Sequence, residues 1–193
     1  MSRPAVFFDR DGTINEDPGY LGDVNLVKLF SDAVAALSIL KNKLNFLLIV
    51  ISNQSGIARG IITKEQVDLV NYKINELLSE GNAEIDKYYY CPHHPEFNSS
   101  EECNCRKPSP ELVYQASKEF DIDIKRSYFI GDSISDYECA KNAGCKFVLI
   151  KTGNGLESIS ALQKQNKFPS FAAANLMDAV NFIQNDYDGE IKI

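Results

Sequence analysis

The sequence predicts an α/β fold, a doubly wound parallel sheet with flanking helices. Three observations carry that expectation. Short apolar runs rich in β-branched and aromatic residues recur along the chain, segments with helical spacing separate them, and 193 residues at 44% hydrophobic composition suffice for one sizeable core. Near-continuous apolar strands suit a sheet covered on both faces, and strand–helix alternation makes that sheet parallel, with any active site at the carboxyl ends of its strands.

In chain order, the first strand is expected over residues 5–8, followed by a helix with its apolar stripe on Val34, Leu37, Leu40 and Leu44. A second strand is expected over 46–51. Thr63, with Gln66 three residues on, is a capping box that starts a helix with Val67, Val70, Ile74 and Leu77 on one face. A third strand is expected over 87–90. Ser109 then reads as an N-cap with Pro110 at the first helical position, ahead of Leu112, Ala116 and Phe120. Strands over 128–130 and 147–150, a loop over 151–156 and a final helix over 175–184 complete the pattern. No internal repeat or linker divides the chain, so one domain over 1–193 is expected. Residues 16–29 are too few for a large cap domain.

The net charge of −7 offers no cationic surface for a nucleic-acid backbone or an anionic membrane. The longest apolar run, 46–51, is too short to span a bilayer, and no signal-peptide core precedes the first strand. A cytoplasmic protein without nucleic-acid or membrane partners is expected, and a monomer, since no long exposed helix seam is visible.

The chemistry-bearing residues sit where strands end. Asp9 and Asp11 flank one residue ahead of Gly12, and two carboxylates so close suggest a divalent cation or a division between nucleophile and acid. Alone, this is also ordinary turn chemistry. The second strand ends in Ser52, Asn53, Gln54 and Ser55, donors suited to phosphate oxygens; Arg106 and Lys107 add fixed cations; the fourth strand leads to Asp132 and Asp136. Four such elements in this order are a far stronger signal than any one of them.

A separate group lies between the third strand and Lys107. Cys91, His93, Cys103 and Cys105 offer four soft or borderline ligands for a closed tetrahedral zinc site, with His94 as a competing nitrogen; a loop of free thiols is the alternative. Such a zinc-stapled loop would brace Arg106 and Lys107.

The four ordered motifs resemble those of the haloacid dehalogenase superfamily over nearly the whole chain. The resemblance implies that Asp9 is the nucleophile, Asp11 the general acid and then base, and that Ser52 and Lys107 stabilise the phosphoryl group. It further implies a catalytic Mg²⁺ held by Asp9, the Asp11 main-chain carbonyl and Asp132, with Asp136 in support. Segments 9–15, 17–20, 52–60, 90–95 and 103–108 resemble the heptose bisphosphate phosphatases. That narrower likeness implies removal of the 7-phosphate of a small sugar bisphosphate, with Asp17, Gly19, Tyr20, Asn53, Gln54, Ser55 and Arg106 contacting the substrate. Ser52 replaces a common threonine, and Ser133 stands where several relatives carry a cation. Histidinol-phosphate phosphatase is the alternative substrate reading, a zinc-stabilised binding module without catalysis the alternative class, and a polynucleotide end phosphatase is disfavoured by the acidic composition.

Overall fold

The computed structural model describes residues 2–191; Met1, Lys192 and Ile193, which the expected domain included, lie outside the described residues. Strands β1 (Ala5–Phe8), β2 (Leu47–Asn53), β3 (Lys87–Cys91), β4 (Tyr128–Gly131), β5 (Lys146–Ile150) and β6 (Phe171–Ala173) form one sheet in the order β3-β2-β1-β4-β5-β6. Every pairing is parallel. Helices α1 (Ala33–Ser38), α2 (Lys64–Leu78), α3 (Glu111–Phe120), α4 (Ile134–Ala143), α5 (Gly155–Lys164) and α6 (Leu176–Ile191) cover it.

Side chains alternate across a strand, so each strand feeds two cores. Val6, Phe8, Leu48, Val50, Ile130 and Val148 pack with residues of α1, α2 and α6, including Leu37, Val70, Ile74 and Val180. Phe7, Ile49, Ile51, Phe129 and Leu149 pack on the other face with Val113 and Ala116 of α3, Ala140 of α4 and Leu162 of α5. Burial on both faces explains why the strands read as continuous apolar runs.

Several boundaries differ from expectation for local reasons. The helix after β1 passes into a π turn at Ile39–Lys43, which leaves Leu44 at its end rather than on its stripe. The capping box is present: Thr63 Oγ1 accepts from Gln66 N at 3.2 Å and Gln66 Oε1 accepts from Thr63 N at 2.8 Å. At α3 the N-cap is Pro110, one residue later than expected, although Ser109 Oγ still accepts from Glu111 N at 3.3 Å. The 151–156 segment is a loop only as far as Asn154, because α5 starts at Gly155, where a Cβ would meet Ile150 O at 1.8 Å. α4, α5 and β6 were not foreseen.

Strand order reverses its direction of growth at β1, with β2 and β3 on one side and β4 to β6 on the other. That switch point opens a crevice at the carboxyl ends. Register places Phe8 beside Val50 and Ile130, so the turn after β1 emerges between the ends of β2 and β4. Among the described residues, no helix is long and apolar enough to cross a membrane.

Candidate active site

Asp9 follows β1, its amide donating to Ile130 O at 3.0 Å and so continuing the sheet bonding to β4. Its Oδ1 accepts from Arg10 N at 2.8 Å and pairs with Lys107 Nζ at 2.8 Å. Lys107 is 3% exposed; its ammonium also donates to Ile51 O at 2.8 Å and lies 2.6 Å from Asp136 Oδ1. Burial alone would lower the Lys107 pKa, but Asp136 and Asp9 outweigh it and hold the ammonium above its ordinary value. Asn53 fixes the lysine's backbone from the end of β2, accepting from Lys107 N at 3.0 Å and donating to Lys107 O at 3.2 Å.

Asp11 turns to a different set of partners. Arg10 Nε lies 3.1 Å from both of its oxygens and Nη2 2.8 Å from Oδ2, while Asn15 Nδ2 donates to Oδ1 at 2.9 Å and Gln54 Nε2 to Oδ2 at 3.0 Å. Burial pushes this carboxyl up, but Arg10, Asn15 and Gln54 together leave it below its usual range. Gln54 Nε2 also donates to Ser52 Oγ at 2.7 Å, linking the acid to the hydroxyl on β2.

Asp132, after β4, is 1% exposed and its Oδ2 accepts from Asn154 N at 2.7 Å. Two glycines make room for it: a Cβ on Gly12 would lie 2.4 Å from Asp132 Oδ2 and one on Gly153 2.1 Å, and both have positive φ, 80° and 52°. Asp136, expected only to support a metal, has structural partners of its own. Its Oδ2 accepts from Ser133 N at 3.0 Å and Ser133 Oγ at 2.6 Å, capping α4, while Oδ1 faces Lys107.

Oxygens of Asp9, Asp132 and Asp136 lie within 4.8 Å of one another, with Lys107 the cation paired to two of them. Burial first, then the neighbouring carboxylates, push Asp9 up to about 8 against the pull of Lys107; burial likewise pushes Asp132 up to about 6 despite the Asn154 amide. Two buried acids and the partly buried Asp9 against one ammonium leave an excess of negative charge, and an oxygen donor set of this kind fits Mg²⁺.

Asp9, Asp11, Ser52, Asn53, Gln54, Ser55, Lys107 and Asp132 line one cavity of about 250 Å³, with Asp17, Gly19 and Tyr20 on its wall. Ser133, noted from sequence only as replacing a cation, lines it too, as do Ser135 and Asn154, which were not assigned to the site from sequence. Arg106 is not part of that lining; it is half-buried, with Nη1 donating to His93 O at 3.2 Å. In the loop, the Cys91 and Cys105 sulfurs are in direct contact, and His93 Nδ1 lies 3.9 Å and 3.5 Å from them. His94 does not compete for that place, because Nε2 is bonded to Arg59 at 3.0 Å and Nδ1 accepts from Glu96 N at 3.2 Å. Cys103 is not brought into the group. It sits in the 3₁₀ turn Glu102–Cys105, where residues two apart point to different sides.

A carboxylate pair after β1, with its partners drawn from the ends of β2 and β4 and from the loop before α3, defines a haloacid-dehalogenase-like hydrolase. The HAD-hydrolase-like family model matches residues 104–179. A D-glycero-D-manno-heptose-1,7-bisphosphate 7-phosphatase of Chlorobaculum tepidum is 40% identical over 188 residues, covering 93% of each chain. The D-glycero-beta-D-manno-heptose-1,7-bisphosphate 7-phosphatase of Escherichia coli K12 is 41% identical over 158 residues, covering 79% of this chain and 81% of the relative. The crystal structure of D,D-heptose 1,7-bisphosphate phosphatase from B. bronchiseptica, complexed with magnesium and phosphate, superposes with a TM-score of 0.83 at 25% identity over 95% of this chain and 99% of that one. The chain belongs to the heptose-1,7-bisphosphate 7-phosphatase family of these hydrolases.

Proposed function

We propose that the protein hydrolyses the 7-phosphate of D-glycero-D-manno-heptose 1,7-bisphosphate through an aspartyl-phosphate on Asp9. The observation that carries this reading is the pairing of Asp9 with a buried, protonated Lys107 at 2.8 Å, in a cavity that also holds the Asp11 carboxyl. Both Lys107 Nζ and Arg10 N contact Asp9 Oδ1, so we assign Oδ2 as the attacking oxygen. Its bond to phosphorus forms as the phosphorus–sugar oxygen bond breaks; that electron pair stays on the sugar oxygen, which takes a proton from Asp11. Water then bonds to phosphorus and gives a proton to Asp11, and the Asp9–phosphorus bond breaks. Ser52 and Lys107 hold the transferring oxygens.

Asp9, the Asp11 main-chain carbonyl and Asp132 would hold Mg²⁺, with Asp136 in support through Lys107 and the α4 cap. When bound, this ion neutralises charge on the phosphoryl oxygens. We read Asp17, Gly19, Tyr20 and Ser55, which line the cavity, as contacts for the sugar. Asn53 and Gln54 act chiefly on Lys107 and on Asp11 with Ser52. Arg106, beside the zinc loop rather than in the cavity wall, is the cation we assign to the second phosphate.

Phosphate release from both anomers of heptose 1,7-bisphosphate, from fructose 1,6-bisphosphate and from histidinol phosphate, with and without Mg²⁺, tests the reading. Mg²⁺-dependent preference for a heptose bisphosphate is expected, the β anomer first because relatives at 41% identity are named for it. Preference for histidinol phosphate would overturn the substrate, and absence of turnover on all of them the enzyme reading. The net charge of −7 supports a protein without nucleic-acid partners, and we read it as a cytoplasmic monomer, the monomer being checked by sedimentation.

We read the Cys91, His93 and Cys105 group as part of a structural Zn²⁺ site, with Cys103 the remaining thiolate of the loop. Two sulfurs and an imidazole nitrogen within 4.8 Å of one another are a borderline-soft donor set that suits zinc over Mg²⁺. Metal analysis should find one zinc per chain. Chelated and unfolded without reductant, the protein should then titrate all five cysteines as free thiols. Three thiols and no zinc would instead show a Cys91–Cys105 disulfide.

A further inference from the structure

Arg10 is the bulkiest of the fully buried side chains, 1% exposed in the turn between Asp9 and Asp11. A buried guanidinium persists only when its donors are matched. Here the matching is specific: Nε and Nη2 fork onto the Asp11 carboxylate, and Nη1 donates to Asn71 Oδ1 at 3.0 Å. Asn71 lies mid-helix in α2, buried on the same face as Val67, Val70 and Ile74, where helical spacing calls for an apolar side chain. Neither residue has a part in the phosphoryl transfer described above.

We propose that Arg10 is a positioning residue for Asp11, with Asn71 fixing the guanidinium from α2, so that one carboxyl orientation serves both proton transfers. The inference rests on the reading of Asp11 as acid and base. In the first half-reaction Asp11 loses its proton to the sugar oxygen, and in the second it takes one from water. Each passes through the carboxylate that the guanidinium pairs. A planar fork with two parallel donors sets the plane of a carboxylate, which a lysine, a point charge on a flexible stem, does not. Asn15 and Gln54 add one donor each, but neither carries charge. Misplacement of a reacting group by about 1 Å costs on the order of 100-fold in rate.

The test compares kcat and KM of Arg10→Met, Arg10→Lys and Asn71→Leu on heptose 1,7-bisphosphate and on p-nitrophenyl phosphate, with Asp9→Asn and Asp11→Asn run beside them. Arg10→Met should lower kcat on the sugar phosphate about 100-fold with KM moved less than about threefold. The aryl phosphate, whose leaving group needs little protonation, should lose about tenfold less. Arg10→Lys should recover only part of the loss, and Asn71→Leu should show the same substrate split at smaller size. Equal losses on both substrates, or an effect confined to KM, would overturn the inference. Should Arg10→Met fail to fold, Asn71→Leu decides alone: a split supports the relay, and no change or an equal loss rejects it. Turnover surviving in Asp9→Asn would instead sink the phosphatase reading itself. A dead Asp9→Asn and a split in Asp11→Asn, with none in the Arg10 and Asn71 variants, would remove this inference only.

Discussion

Asp9→Asn is expected to abolish phosphate release, by about 10⁴-fold or more, while the protein folds normally. The amide keeps the shape and can still accept from Arg10 N and Lys107 Nζ, but it is no nucleophile toward phosphorus. Stability should not fall with activity. Burial and the neighbouring Asp132 and Asp136 raise the folded pKa of Asp9 to about 8, above the ordinary carboxylate value of about 4. A raised folded pKa means the folded state binds the proton more tightly than the unfolded chain does. The metal-free protein is therefore expected to lose stability as pH rises from about 4 toward about 8. An amide at position 9 removes that titration. Thermal unfolding in chelator between pH 5 and 8 should show a flatter profile for Asp9→Asn, with a melting temperature at pH 7 no lower than that of the parent. Substantial phosphate release from a clean preparation, or a melting temperature several degrees lower, would contradict the assignment of Asp9 as a buried nucleophile in a like-charged cluster.

The chemistry was legible because it lies at strand ends, where a short apolar run followed by Asp, Ser or Gly needs no tertiary knowledge to interpret. Asp9, Asp11, Ser52 and Asp132 were each placed by that logic, while Lys107, well beyond β3, was carried by the order of the four motifs; all line the cavity. Arg10 escaped it, because an arginine inside an Asp-Gly turn reads as a solvated charge until the fold shows Asn71 waiting on α2. Asp136 carried a signal that went unused: Ser133 three residues before it is a capping pattern, and α4 begins there. Sequence spacing also cannot say which way a cysteine faces within a turn. Cys103 and Cys105 looked equivalent as ligands, yet the 3₁₀ turn sets only Cys105 against His93. β6 is three residues long, and α5 opens on a glycine, so neither offered enough periodicity to be read.

Lys107→Met should differ from Asp9→Asn in failing on both counts. Loss of the ammonium removes the cation facing the transferring oxygens, and kcat should fall at least about 10²- to 10³-fold. It also leaves Asp9 and Asp136, together with Ile51 O, without their shared donor, and the Asp136 carboxylate is fully buried. Breaking a buried pair by deleting one partner costs about 3–5 kcal/mol, because the surviving charge keeps its desolvation penalty. Urea unfolding with Mg²⁺ chelated measures this directly. The double variant Lys107→Met with Asp136→Asn separates the two roles of the lysine. Asparagine at 136 can still accept from Ser133 N and cap α4, but it no longer buries an unpaired charge, so part of the lost stability should return while activity does not. If the double variant were no more stable than Lys107→Met, the buried charge on Asp136 would not be what the ammonium holds in place. Recovery of stability without recovery of turnover would show that one ammonium both neutralises the acids behind the site and serves the chemistry in front of it.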